Sequence, residues 1–312
     1  METHAVVLQD PMGISLQSVP LIPANTSDAI VQVRHSGIST GTEKLLWSGQ
    51  MPPFPGMGYP LIPGYEAMGE VVEVASNSNL RAGDEVFIPG ANCFGDVRGL
   101  FGAAAATVAT DPKRLVKLEA GFGTQGALLA LAATARHAIA APGASLPDLI
   151  VGHGALGRLL ARFTVLRGGT PTVWEIDPQR RAGDHGYDVL APDTDASAEY
   201  RCIYDATGDA GLLNTLIGKL AKGGEIVLAG FYPDPVSFAF PPAFMKEARL
   251  RIAAEWTRQD MIATVSLMNA GKLVLDDLIT HRAAASDAVD AYRTAFTDAS
   301  CLKMILDWDG AI

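Results

Sequence analysis

The stretch Asp148-Leu149-Ile150-Val151-Gly152-His153-Gly154-Ala155-Leu156-Gly157-Arg158-Leu159-Leu160 decides the fold. Leu149 to Val151 is a short apolar run and reads as a buried strand. Three glycines follow at the spacing G-x-G-x-x-G, and Arg158 to Phe163 opens a helix. Each glycine has its own task. Gly152 makes the tight turn, Gly154 lets a pyrophosphate approach the backbone, and Gly157 lets helix and strand pack closely. His153, Ala155 and Leu156 fill the spacing and belong to the same cradle. A pyrophosphate would rest on the free N–H groups at the helix start, where the dipole favours negative charge.

A second strand-like run, Thr172 to Asp177, follows the helix, and Asp177 stands 20 residues after Gly157. An acid at that distance meets the adenosine ribose of a dinucleotide. Glu175 is the other carboxylate in reach. Strands and helical segments then alternate: Cys202 to Asp205, a helix over Leu212 to Leu220, Glu225 to Gly230, and Leu250 to Ala254. That alternation predicts a doubly wound parallel sheet with right-handed crossovers. Ligands of such sheets lie off the carboxyl ends of the strands, which brings in Ala206, Thr207 and Gly208, and Gly230 and Phe231. The alternative reading of the glycine loop is a strand–helix turn that holds no ligand.

Residues ahead of this unit read differently. Ala5 to Leu8, Ala29 to Val33, Glu70 to Val74 and Asp84 to Ile88 are strand-like and punctuated by Gly, Pro, Asn and Ser, so this part is β-rich. An alanine-rich segment, 122–141, is apolar nearly all round and predicts a buried linking helix. The chain closes with a helix over Ser286 to Phe296 and a strand over Cys301 to Leu306. The 312 residues, 48% hydrophobic, suit about two soluble domains with ample cores. A net charge of −10 without a basic stripe argues against nucleic-acid binding. Cys93, Cys202 and Cys301 lie far apart and form no CxxC motif, which suits a reducing cytoplasm. Neither a signal peptide nor an apolar run long enough to span a membrane is evident.

In its order of parts the chain resembles the medium-chain dehydrogenase/reductase, or zinc-type alcohol dehydrogenase-like, superfamily. Carriers of the resemblance are Ser36-Gly37-Ile38-Ser39, Pro63-Gly64-Tyr65-Glu66-Ala67-Met68-Gly69-Glu70-Val71, Arg81-Ala82-Gly83-Asp84-Glu85-Val86, the glycine loop, and Cys301-Leu302-Lys303. It implies an α/β architecture with a β-rich GroES-like catalytic lobe over 1–120, a Rossmann NAD-binding lobe over 121–270, and a return to the catalytic lobe over 271–312. It also implies that edge strands pair between two copies, for which Leu250 to Ala254 is placed, giving a homodimer.

The departures from that family bear on mechanism. Zinc members carry cysteine where this chain has Ser39, histidine where it has Tyr65, and cysteine or glutamate where Ala130 aligns. A tetrahedral zinc needs soft or imidazole ligands, so the resemblance is to a zinc-independent branch with no metal. Glu66 and His35 are the residues a retained zinc could recruit. Another group must then handle the alcohol proton and the developing oxyanion during hydride transfer. Tyr65 is the first candidate, since a phenol both donates and accepts. Its other reading is a ring that fills the metal's volume. Ser39, Thr40, Glu66 and His35 rank behind it.

The spacing from Leu46 to Glu66 resembles the branch of the family in bacteriochlorophyll biosynthesis. That implies a tetrapyrrole substrate: the 3-(1-hydroxyethyl) group of a chlorophyllide or bacteriochlorophyllide, oxidised to 3-acetyl with NAD. Trp47, Met51, Phe54, Met57 and Tyr59 suit a flat apolar ligand, or alternatively pack the lobe itself. Asp177 favours NAD, because a carboxylate repels a 2′-phosphate, while Arg180 and Arg181 keep NADP open. Two other readings remain: a zinc-independent NADPH-dependent quinone or enone reductase, and a non-enzymatic protein that holds a dinucleotide.

Overall fold

A computed structural model describes residues 1–22, 24–197 and 199–310. The chain divides into two compact units, Met1–Ala130 with Val274–Ile312, and Leu131–Leu273.

In the second unit a six-stranded parallel sheet runs in the order Asp188–Leu190, Thr172–Trp174, Leu149–Val151, Tyr200–Asp205, Leu220–Leu228, Arg249–Ile252. The chain starts in the middle, winds outward to one edge, then returns and winds to the other. The strand order therefore reverses between Leu149–Val151 and Tyr200–Asp205, and the crevice for a ligand opens off their carboxyl ends, at Val151 and Asp205. The central strand is wholly buried, as a strand covered by helices on both faces must be. The helix Ala155–Leu166 turns Leu159, Leu160 and Phe163 inward.

The first unit is built on a seven-stranded sheet. Ala29–Ile38 pairs antiparallel with Ala67–Glu73, Met304–Asp307 and Thr107–Thr110; Glu85–Ile88, Val116–Lys117 and His281–Ala284 complete it. Its core gathers Val31, Val33, Ile88, Phe94, Tyr292 and Leu306. The closing strand joins this sheet, so the chain's end completes the unit that its first third begins.

Three expectations are adjusted. The segment 122–141 is not one continuous α-helix: Gly123–Leu128 is a 3-10 turn, and the α-helix is Leu129–Ala140. Gly123 has φ +52, which breaks regular helix at its start. The helix expected over Leu212 to Leu220 is the shorter Leu213–Lys219, and the strand expected from Glu225 begins already at Leu220, running through Gly223 and Gly224 with a register irregularity against Tyr200–Asp205. The second strand of the parallel sheet ends at Trp174, and Asp177 caps the short helix Pro178–Arg181 instead of closing the strand. Among the described residues no helix is long and apolar enough to cross a membrane.

Candidate active site

The glycine loop performs the three tasks its spacing requires. Gly152 has φ +93, and its N–H donates to Trp174 O at 2.8 Å. A Cβ on Gly157 would sit 1.8 Å from Gly152 O, so only glycine lets the helix start there. A Cβ on Gly154 would meet nothing within 4 Å. That open space faces the beginning of Ala155–Leu166, a helix of 12 residues, whose first N–H groups lack helical acceptors. The residues present therefore fit a dinucleotide pyrophosphate.

Two further turns converge on the same edge. Ala206 N–H donates to Val151 O at 2.9 Å. The buried Asp205 accepts from Thr207 N at 2.9 Å and Thr207 Oγ1 at 2.7 Å, which folds Ala206–Gly208 back over the strand end; burial holds the Asp205 carboxyl above its ordinary range. A Cβ on Gly208 would lie 2.5 Å from Phe231 O, and one on Gly230 would lie 2.7 Å from Gly208 N. The expected set Gly152 to Gly157, Ala206 to Gly208, and Gly230 with Phe231 is thus gathered at one end of the sheet.

The two acids have different attachments. Glu175 is buried, and its carboxylate accepts from His153 N at 3.0 Å and Asp177 N at 2.9 Å. Asp177 is half-buried and accepts from Gln179 N at 2.8 Å as a helix N-cap. Glu175 is therefore bound directly into the glycine loop, and Asp177 into the short helix after it. Arg181 donates to Glu175 O at 2.9 Å and Ile176 O at 2.8 Å, so its guanidinium closes the same turn. His153 is fully buried. Its ring nitrogens meet Arg180 O at 2.8 Å and Tyr187 OH at 2.9 Å, and burial pulls its pKa down to about 4. It is a neutral strut of the cradle, not a charge aimed at a phosphate.

In the first unit, Tyr65 follows the strand Leu61–Ile62 and donates to Ser39 Oγ at 2.8 Å and Thr42 Oγ1 at 3.3 Å. Ser39 Oγ also accepts from Thr42 N at 3.3 Å. The second hydroxyl beside Tyr65 thus belongs to Thr42, which sequence reasoning did not select; Thr40 sits half-buried in the turn before it. Burial first, and the nearby Glu66 second, push the Tyr65 phenol well above its ordinary range. It stays protonated at neutral pH. Its ring meets Phe101 edge to face, centroids 5.6 Å apart.

Beneath this cluster lies a buried charged group. Glu66 Oε2 meets Lys303 Nζ at 2.5 Å, and Lys303 also donates to Ile38 O at 3.2 Å. Glu43 accepts from Ser39 N at 3.1 Å and Tyr292 OH at 2.7 Å. Among the described residues Lys303 pairs with Glu66 alone, so Glu43 is left without a cation in contact, and burial raises its pKa to about 7. His35 pairs with Asp307 at 2.7 Å across the sheet, and Arg282 holds the same carboxylate from its other side. Glu66 and His35 thus each hold a charged partner, and among the described residues the second carboxylate oxygen of Glu66 accepts no hydrogen bond.

Ser39, Tyr65 and Ala130, the positions that the resemblance sets against metal ligands, offer a hydroxyl, a phenol and a buried methyl group. This donor set does not fit a tetrahedral zinc. The aromatic loop is packed more than displayed. Met51 is buried with Leu8, Leu46 and Leu61, and Phe54, Met57 and Tyr59 lie against them. Trp47 stacks at a tilt on Phe296, centroids 5.3 Å apart, and Tyr59 OH bonds to Leu46 O. The packing alternative therefore accounts for much of this loop.

Residues 25–120 match the alcohol dehydrogenase GroES-like domain. The chain is 58% identical to the 2-desacetyl-2-hydroxyethyl bacteriochlorophyllide A dehydrogenase of Cereibacter sphaeroides, over 99% of each chain. It is equally 58% identical to the Rhodobacter capsulatus protein of the same name, over 100% of each. Among solved structures it resembles L-idonate 5-dehydrogenase from Escherichia coli, with a TM-score of 0.86, 19% identity and 99% of each chain covered. It also resembles 2R,3R-butanediol dehydrogenase from Bacillus subtilis, with a TM-score of 0.84, 21% identity, and 98% of this chain and 100% of that one covered.

Proposed function

The chain belongs to the medium-chain dehydrogenase/reductase family of zinc-type alcohol dehydrogenase-like proteins, and from that premise we propose that it oxidises the 3-(1-hydroxyethyl) group of a chlorophyllide or bacteriochlorophyllide to 3-acetyl with NAD. The observation that carries this reading is the 58% identity, over 99–100% of each chain, to two bacteriochlorophyllide A dehydrogenases. The dinucleotide cradle on the reversing parallel sheet supports it independently.

NAD, when bound, supplies the acceptor for the hydride. The chain's own residues do the rest. The first turn of Ala155–Leu166 and the open backbone at Gly154 receive the pyrophosphate. Asp177 is the carboxylate that would meet the adenosine ribose, and an acid there would favour a free 2′-hydroxyl over a 2′-phosphate, while the buried Glu175 braces the turn from His153 N to Asp177 N. Tyr65 holds the substrate oxygen. Its O–H already points at Ser39, so its oxygen is free to accept a hydrogen bond from the alcohol. Oxidation would pass the alcohol proton to Tyr65 O, the phenolic proton to Ser39 Oγ and the Ser39 hydroxyl proton on to water, so that each oxygen keeps a single proton. In the acetyl-reducing direction the same phenol donates. No metal is assigned to this step, in keeping with the donor set of Ser39, Tyr65 and Ala130.

We further propose that two copies associate through Arg249–Ile252. This is the edge strand of its sheet, with Leu250 and Ile252 exposed, and exposed Phe240, Phe244 and Met245 lie on the adjoining segment. We assign the protein to the cytoplasm, consistent with three separate, buried cysteines that form no disulfide with one another. The direct test of function mixes the protein with a hydroxyethyl chlorin and NAD and follows the pigment's absorption. A shift matched one for one by NADH supports the reading; an unchanged spectrum with folded, NAD-loaded protein refutes it.

A further inference from the structure

We infer that Phe101 and Arg98 recognise the macrocycle: Phe101 presents an aromatic face to its apolar ring beside Tyr65, and Arg98 pairs with a carboxylate on its rim. This rests on the substrate class proposed above and names residues that the aromatic loop, being packed, does not supply.

Phe101 is the one exposed phenylalanine in its unit among the described residues, at 41% exposure. Phe87, Phe94 and Phe296 of the same unit are buried. The Phe101 ring stands edge to face against the tyrosine whose hydroxyl faces Ser39, which puts an open aromatic surface beside that hydroxyl cluster. Its backbone is also fixed. Ala91 N donates to Phe101 O at 2.8 Å, and Leu100 N and Gly102 N both donate to Ile62 O, at 2.9 and 3.0 Å. A Cβ on Gly90 would lie 2.2 Å from Phe101 O, and one on Gly102 would lie 1.9 Å from Ala91 O. Two glycines thus allow the strand–loop approach that holds this ring in place. A ring on a rigid support loses little entropy when a flat ligand stacks on it.

Arg98 stands three residues earlier on the same support, in the short strand Arg98–Gly99 that pairs with Leu61–Ile62. Its side chain is exposed and crosses the aromatic loop: Nη1 donates to Tyr59 O at 3.1 Å, and a Cβ on Gly58 would press on the guanidinium carbon at 3.1 Å. One N–H is thereby anchored, leaving the remaining fork for a planar, bidentate partner such as a carboxylate. A chlorophyllide offers both features, a flat apolar ring and a free propionate.

The test compares wild type with Phe101→Ala, Phe101→Leu, Phe101→Trp and Arg98→Gln, using a hydroxyethyl chlorin as the free acid and as its methyl ester. Loss of the ring in Phe101→Ala or Phe101→Leu is expected to raise pigment KM roughly tenfold. The kcat and the KM for NAD stay within about twofold, and Phe101→Trp restores pigment KM. Arg98→Gln is expected to raise KM for the free acid roughly tenfold and to leave the ester unchanged. An unchanged pigment KM in both Phe101→Ala and Phe101→Leu, or an equal effect of Arg98→Gln on acid and ester, overturns the inference. Absence of turnover in the wild type counts against the proposed reaction instead. Pigment binding followed by quenching of tryptophan fluorescence, without NAD, then still decides the roles of Phe101 and Arg98.

Discussion

Replacing Tyr65 by phenylalanine removes a single oxygen and leaves the ring. The edge contact to Phe101 survives, and Ser39 Oγ keeps its bond from Thr42 N, so no buried hydroxyl is stranded. Losing the hydrogen bonds to Ser39 and Thr42 costs about 1–2 kcal/mol of stability, a few degrees in Tm for a chain of this size. Catalysis suffers far more. General acid–base help is worth roughly 10²- to 10⁴-fold, so kcat should fall by that factor, equivalent to about 3–5 kcal/mol in the barrier. The pigment KM should change little, because the aromatic surface is intact. The assay is steady-state oxidation of a hydroxyethyl chlorin, with circular dichroism confirming the fold. A kcat within roughly threefold of wild type would show that Tyr65 only fills space.

Other perturbations probe the remaining parts. Gly157→Ala forces a Cβ against Gly152 O, which would be 1.8 Å away; NAD affinity should drop at least about tenfold as the helix is pushed from the loop, measured by calorimetric titration. Lys303→Met leaves Glu66 charged and buried without its partner, so unfolding free energy should fall by about 3–5 kcal/mol, and adding Glu66→Gln should recover much of it. Glu43 takes up its proton near pH 7 when folded and near 4.5 when unfolded. The folded state therefore binds more protons between those values, and stability should decline as pH rises from about 4.5 to about 7, by up to about 3 kcal/mol. Glu43→Gln should flatten that slope in thermal melts, and an unchanged slope would contradict the raised pKa.

Much of the second unit was legible in the sequence because its constraints are local. Three glycines at fixed spacing answer three steric demands within six residues, and alternating strands and helices allow few sheet orders. The short helix after Trp174 was harder to see. An apolar run ending in Asp177 looks like continued strand, whereas Pro178 and the Asp177 side chain begin a helix there. That shift of the strand end is what brings Glu175 to the glycine loop. In the first unit, Tyr65 and Ser39 stood out as substitutions at metal positions, but their geometry depends on contacts distant in sequence. Thr42 lies 23 residues from Tyr65, and Lys303 lies 237 from Glu66; no periodicity links such pairs. Aromatic composition pointed to the segment around Trp47 and Phe54. Composition alone does not distinguish side chains that pack inward from one, such as Phe101, that is held outward by glycines on either side.

The central proposal is that the dinucleotide cradle of the second unit and the Ser39–Tyr65 hydroxyl cluster of the first serve, without zinc, the oxidation of a secondary alcohol on a tetrapyrrole. Its most direct test is turnover of a hydroxyethyl chlorin with NAD by protein stripped with a strong chelator and checked for metal content. The account predicts full conversion to the acetyl pigment with equimolar NADH. Activity that vanishes on stripping and returns with added zinc would contradict it.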